Sequence, residues 1–147
     1  MKPLQNIFHY LQKLALVFWL GEMLFFIVIF APRVFKVLPR EMAAELQSHI
    51  FPGYFMVGIV CSFVMLLGFA INSSRANWGR YQKPIYSLGT LVAGLIFVYC
   101  FLSLSPEIAE MSRQGLGQTP EFTALHKLSV RLNAIVLFLL LTILAII

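Results

Sequence analysis

Four long apolar stretches separated by short polar ones set the pattern of this chain, over roughly residues 11–31, 50–71, 84–104 and 125–147. A bilayer core about 30 Å thick is crossed by about 20 helical residues, and each stretch has that length. The second and third hold no Lys, Arg, Asp or Glu, whereas Glu22 stands inside the first and Arg131 near the start of the fourth. Inside hydrocarbon the backbone must satisfy its own polar groups, as helices or as a closed barrel. Barrel strands alternate apolar and polar residues over about 10 positions. These runs are apolar on every side, so the expected fold is all-α. The chain reads as one integral membrane bundle of four transmembrane helices over residues 1–147.

Prolines and connections refine that picture. Pro52 and Pro84 are expected at helix starts, where a missing N–H costs nothing. Pro32 and Pro106 are expected at helix ends, and Pro39 and Pro120 in connections. Residues 32–49 have room for a short surface helix from Arg40 to Ser48. Residues 72–83 read as a tight basic turn, and 105–124 as a connection with a flexible Gly-rich centre, RQGLGQTP. Gly58, Ser62, Gly68, Gly89, Ala93 and Gly94 offer close helix approach, the usual way helices associate in lipid. They read as packing this bundle, or as a surface for self-association.

Composition agrees with a lipid solvent. Apolar residues make up 60% and charged ones 12%, against about 45–50% and about 25% in soluble domains. A soluble chain this short could not hide so much apolar surface. The net charge of +5 comes from basic residues spread between the apolar runs. They read as topology and headgroup anchors, not as a nucleic-acid footprint. Cys61 and Cys100 sit inside apolar runs at different expected depths, with no CxxC or zinc spacing, and read as small buried residues. The run from Leu14 to Pro32 is too long for a signal peptide, contains Glu22 and lacks a small-x-small site, so a retained span is expected.

Orientation is nearly balanced. Lys2, Lys13, Arg75, Arg80 and Lys83 fall on one side, and Arg33, Lys36, Arg40, Arg113 and Lys127 on the other. The short middle loop concentrates three bases, whereas the other side mixes its bases with five acids, and that density favours both termini in the cytoplasm of a bacterial plasma (inner) membrane.

Polar groups within spans are costly and usually face protein or water. His126, Ser129 and Asn133 share a stripe about 60° wide on the fourth helix, with Arg131 well away from it. Such a stripe can fix helix register by hydrogen bonding, or bind a polar ligand, a metal or a haem edge. At about 1.5 Å per residue, Glu22 lies about 13 Å inside its boundary and Asn133 about 12 Å inside the same one. Glu22 is therefore expected to pair with Asn133 or Arg131; staying uncharged or carrying protons are the alternatives. His49 and His126 stand at the same membrane face as candidate metal or haem ligands. His9 reads as interfacial.

The segments WLGEMLFFIVIFAPRVFKVLPR, SHIFPGYF and FTALHKLSVRLN, and above all His126-x-x-Ser129-x-x-x-Asn133, carry a resemblance over nearly the whole chain. The chain resembles the transmembrane protein 205-like family, four-span domains of unknown function in bacteria and eukaryotes. The resemblance implies the same bundle and no established activity or cofactor; Glu22 stands outside its pattern.

No nucleophile–base series, phosphate loop or dinucleotide fingerprint occurs. The expected function is non-enzymatic: an accessory or structural subunit of a larger membrane assembly, with other membrane subunits or a second copy as partners. The alternative is binding or transport of a metal, haem or small apolar ligand at the helix-four stripe. A redox enzyme is a third class, resting only on His126 and Glu22.

Overall fold

The computed structural model describes residues 2–73 and 78–147, with side chains from residue 6 onward. Among the described residues four helices are long and apolar enough to cross a membrane, and there is no strand. The first is composite: α1 (Lys2–Leu24), a π-helical turn (Phe25–Phe30) and α2 (Ala31–Val37). The second is α3 (Arg40–Asn72). The third joins α4 (Gln82–Tyr99), a π-helical turn (Cys100–Leu104) and α5 (Ser105–Arg113), and the fourth is α6 (Pro120–Ile146). Part of the expected basic turn, including Arg75, lies outside the described residues.

The prolines correct the expected boundaries. Pro52 does not start a helix but sits inside α3, and the expected surface helix Arg40–Ser48 is the first part of α3. A proline removes one N–H and leaves the carbonyl four residues earlier, that of Ser48, without its helical partner. Packing outweighs that loss, because Ala43 and Gln47 are buried in the N-terminal part of the helix. Pro32 and Pro106 do not end their helices either. Each follows a π-helical turn, and the residue before each proline bonds five residues back, Ala31 N–H to Phe26 O and Ser105 N–H to Cys100 O. The wider turn makes room for a ring that would clash with the carbonyl four residues earlier, so the rod continues.

The expected flexible Gly-rich connection is instead capped at both ends. After α5 the amide of Leu116 reaches Met111 O and that of Gly115 reaches Ser112 O, with Gly115 at φ +75°. That is a Schellman cap, whose left-handed residue favours glycine. Three residues later Thr119 Oγ1 accepts from Phe122 N–H and Pro120 opens α6.

Helices α1 and α3, α3 and α4, α4 and α6, and α6 and α1 pack in a closed ring. Trp19, Met23, Phe55, Met65, Phe97 and Leu140 fill its centre and are almost wholly buried. The small residues serve these contacts. A methyl group on Gly58 would overlap the Phe97 ring and the Trp19 indole, and one on Gly94 would meet Ser62 Oγ. At one end Gln82 Nε2 donates to Ile146 O (2.9 Å), and Tyr86 Oη donates to Gln12 Oε1 (3.3 Å). The start of α1 and the end of α6 therefore share that end. The opposite, loop end carries residues 38–39 and 114–119. Phe63 and Phe138 are 65% and 70% exposed on the outer face, as hydrocarbon contact demands.

Candidate functional site

Polar side chains converge in the half of the bundle nearest the loop end. Tyr54 on α3 donates from its hydroxyl to Asn133 Oδ1 on α6 at 2.7 Å, and Asn133 Nδ2 donates to Ser129 O at 3.0 Å. Both polar functions of the Asn133 carboxamide are thereby used. The stripe of the fourth helix thus has two parts. Its deep member joins α6 to α3, which is the register-fixing role among those the stripe allows. Its outer member, His126, is exposed and lies parallel to Phe122, with ring centroids 6.3 Å apart.

Aromatic rings surround Tyr54. Phe26, Phe55 and Phe97 have centroids 4.9, 5.1 and 5.5 Å from it, and Trp19 meets Phe97 edge to face at 5.2 Å. Phe26 belongs to the first π-helical turn. Glu22 lies one helical turn before it, half-buried, within electrostatic reach of the Tyr54 hydroxyl and the Cys61 thiol. Its Oε2 is sealed from solvent and has no hydrogen-bond partner, and the same holds for Trp19 Nε1 and Thr90 Oγ1.

The expected pairing of Glu22 is not what forms. Asn133 Oδ1 is taken by Tyr54. Arg131 is exposed, and the one ion pair among the described residues joins Arg113 to Glu110 at 2.6 Å. Depth matching along two helices cannot see azimuth; Arg131 stands about 100° or more round α6 from the inward-facing stripe.

Above the aromatic cluster a cleft of about 200 Å³ opens toward the loop end. The rings of Phe35, Phe51 and Phe122 form its apolar walls, and Gln47, Ser48, Ser105, Ser112, Gln118, Arg40 and His126 supply polar ones. Phe51 belongs to both regions, since it also packs on Phe26 at 5.4 Å. An adjoining cleft of about 440 Å³ holds Glu41, Glu45, His49 and Arg113. The two candidate metal ligands therefore line different clefts. Among the described residues no three His, Cys, Asp or Glu side chains stand together to hold a metal ion. Cys61 and Cys100 are buried free thiols.

Residues 14–117 match the model of a family described as a domain of unknown function (DUF4149). That is well over half of the chain. The chain belongs to the DUF4149 family. The match takes in Glu22, Tyr54 and the cleft walls from α2, α3 and α5, but it ends before the α6 stripe. A protein of Aquifex aeolicus (strain VF5), described as an uncharacterized protein, is 32% identical to this DUF4149 chain over 133 residues, covering 87% of this chain and 89% of the other. No solved structure matches.

Several residues of the site escape sequence reasoning. Tyr54 reads there only as part of the SHIFPGYF segment, and Gln47 as part of a surface helix. The signal for Tyr54 was the spacing of Phe51, Tyr54, Phe55 and Gly58, an aromatic face at helical intervals ending on the small residue that admits Trp19. At the opposite end the Tyr86–Gln12 bond forms a second network, with His9 Nδ1 3.3 Å from Gln12 Nε2.

Proposed function

We propose that this is a non-enzymatic membrane protein that binds a small amphipathic ligand, its polar head in the loop-end cleft. The carrying observation is the lining of that cleft, three phenylalanines together with serines and glutamines. At about 200 Å³ it is smaller than the roughly 300–1,000 Å³ of pockets that enclose a whole drug-sized molecule. It suits a head group whose tail stays in lipid. Arg40 and Glu41 contribute opposite charges, so the fitting head is neutral or zwitterionic and rich in hydrogen-bonding groups. The transmembrane protein 205-like resemblance carried by His126, Ser129 and Asn133 implies the same bundle and leaves its activity open.

The test is native mass spectrometry of protein taken from the membrane in mild detergent, with extraction of whatever it retains. The wild type is expected to hold an amphiphile in near-stoichiometric amount, and Gln47→Leu and His126→Ala to lose most of it. A wild type that retains nothing, or variants that retain as much, would sink the reading. Visible absorption and metal content of the same sample address a metal or haem held by His126 or His49. A second reading is an accessory subunit of a larger assembly, supported by outer faces as apolar as those at Phe63 and Phe138. A lone monomer after gentle extraction counts against it.

A further inference from the structure

Glu22 is the one carboxylate within the four spans, and neither the cleft nor the Tyr54–Asn133 bond uses it. An ionisable group kept at such depth is costly, and such groups either pair within the bundle or mark proton or ion paths. Its surroundings decide which cation they suit. Calcium takes about six to eight oxygen ligands and magnesium about six, in octahedral array. Around Glu22 stand the rings of Trp19 and Phe26 on its own rod, the Tyr54 hydroxyl and Cys61 thiol on α3, and Cys100 of the third rod beyond Tyr54. From α6 the facing group is the Asn133 carboxamide, while Arg131 is exposed and forms no ion pair among the described residues. No three His, Cys, Asp or Glu side chains stand together among the described residues, and one carboxyl and one phenol fall well short of such a ligand set. They can hold a proton.

We propose that Glu22 is a proton-binding site inside the membrane, exchanging its proton with the loop-end surface past Tyr54. Three features of the geometry carry this. Glu22 Oε2 is sealed and unpartnered, so the site has no fixed counter-cation to displace. The Tyr54 hydroxyl, within electrostatic reach of Glu22, donates to Asn133, and His126 lies two turns outward along that stripe at the cleft. The π-helical turns Phe25–Phe30 and Cys100–Leu104 flank the path in both composite rods, and such turns relax the helical bonding around them. An Asn carboxamide does not relay protons by itself. Breaking the Tyr54–Asn133 bond is therefore the gating step: it lets the phenol turn between Glu22 and the water of the cleft. The site does not depend on any amphiphile occupying that cleft.

Infrared difference spectroscopy of the protein in proteoliposomes, stepped from mildly acidic to alkaline buffer, reads the proton directly. The expected result is loss of a carboxylic-acid C=O band that shifts in D2O, is absent from Glu22→Gln and is kept, displaced, in Glu22→Asp. Tyr54→Phe should leave the band and slow its response to a pH step. A wild-type spectrum without a titrating band, or the same band in Glu22→Gln, overturns the proposal. If Glu22→Gln fails to fold, labelling of the wild type with dicyclohexylcarbodiimide decides instead. Modification mapped to Glu22 that fades as pH rises supports the site, and none at any pH overturns it.

Discussion

At the scale of single residues, close packing rather than chemistry sets most of the constraints. Gly58 admits the Phe97 ring and the Trp19 indole, whereas nothing stands within 4 Å of where a Gly21 side chain would begin. Gly58→Ala should therefore destabilise the bundle by about 1–3 kcal/mol, as overpacking does. Gly21→Ala should be neutral or stabilising by about 0.5–1 kcal/mol; denaturant titration of both variants in the same detergent checks the contrast. Tyr54→Phe leaves Asn133 Oδ1 without its donor, and interhelical bonds in lipid are worth about 0.6 kcal/mol and at most about 1.7. A loss within that range is expected by the same titration; no loss would mean that Asn133 finds another partner. Sequence reasoning reached Asn133 and His126 because a polar residue in an apolar run is conspicuous. It left Tyr54 a position of the resemblance with no role, because its ring looks at home in any span and its hydroxyl reveals its use only once α3 and α6 are in register.

At the scale of elements, the helices were legible but their ends were not. Apolar length predicts four spans, and four helices of that kind are present. Each extends past its predicted start or end because helix formation does not stop where hydrocarbon does. Proline misleads here. Its usual reading as a terminator holds when the helix beyond has no packing to keep it, yet Pro32, Pro52 and Pro106 are all bridged, two of them by π-helical turns. The short α5 outside the hydrocarbon supplies a test of its end. Hydrogen bonding from the Gln114 carboxamide, with the Arg113 guanidinium beside it, holds the Glu110 carboxyl below its usual range. A carboxyl lowered in the folded state contributes stability above its unfolded pKa and loses it as pH falls through the folded value. Amide exchange at Gln114 and Gly115 should then quicken in acid relative to its intrinsic rate. Glu110→Gln should abolish that pH dependence; if the variant keeps it, the cap is held by something other than this carboxylate.

At the scale of the whole molecule, the remaining asymmetry is one of charge between the two ends of the bundle. The closed ring of helices brings the start of α1, the start of α4 and the end of α6 to one end. By the order of spans in the sequence, Lys2, Lys13, Arg75, Arg80 and Lys83 belong to that side with no acid, while the other side mixes five bases with Glu41, Glu45, Glu107, Glu110 and Glu121. Counting bases alone leaves a tie, and acids contribute little to orientation. What breaks it is density along the sequence. Residues 72–83 hold three bases in one short connection, against three spread over the longer 32–49 and one within 105–124. Both termini are accordingly expected in the cytoplasm. A carboxy-terminal green fluorescent protein should fluoresce, and alkaline phosphatase fused at the same point should be inactive. Replacing Arg80 and Lys83 by glutamine should then yield a mixed population in which part of the phosphatase fusion becomes active. A wild-type fusion already active would reverse the orientation and put the cleft, His126 and the path to Glu22 on the cytoplasmic face.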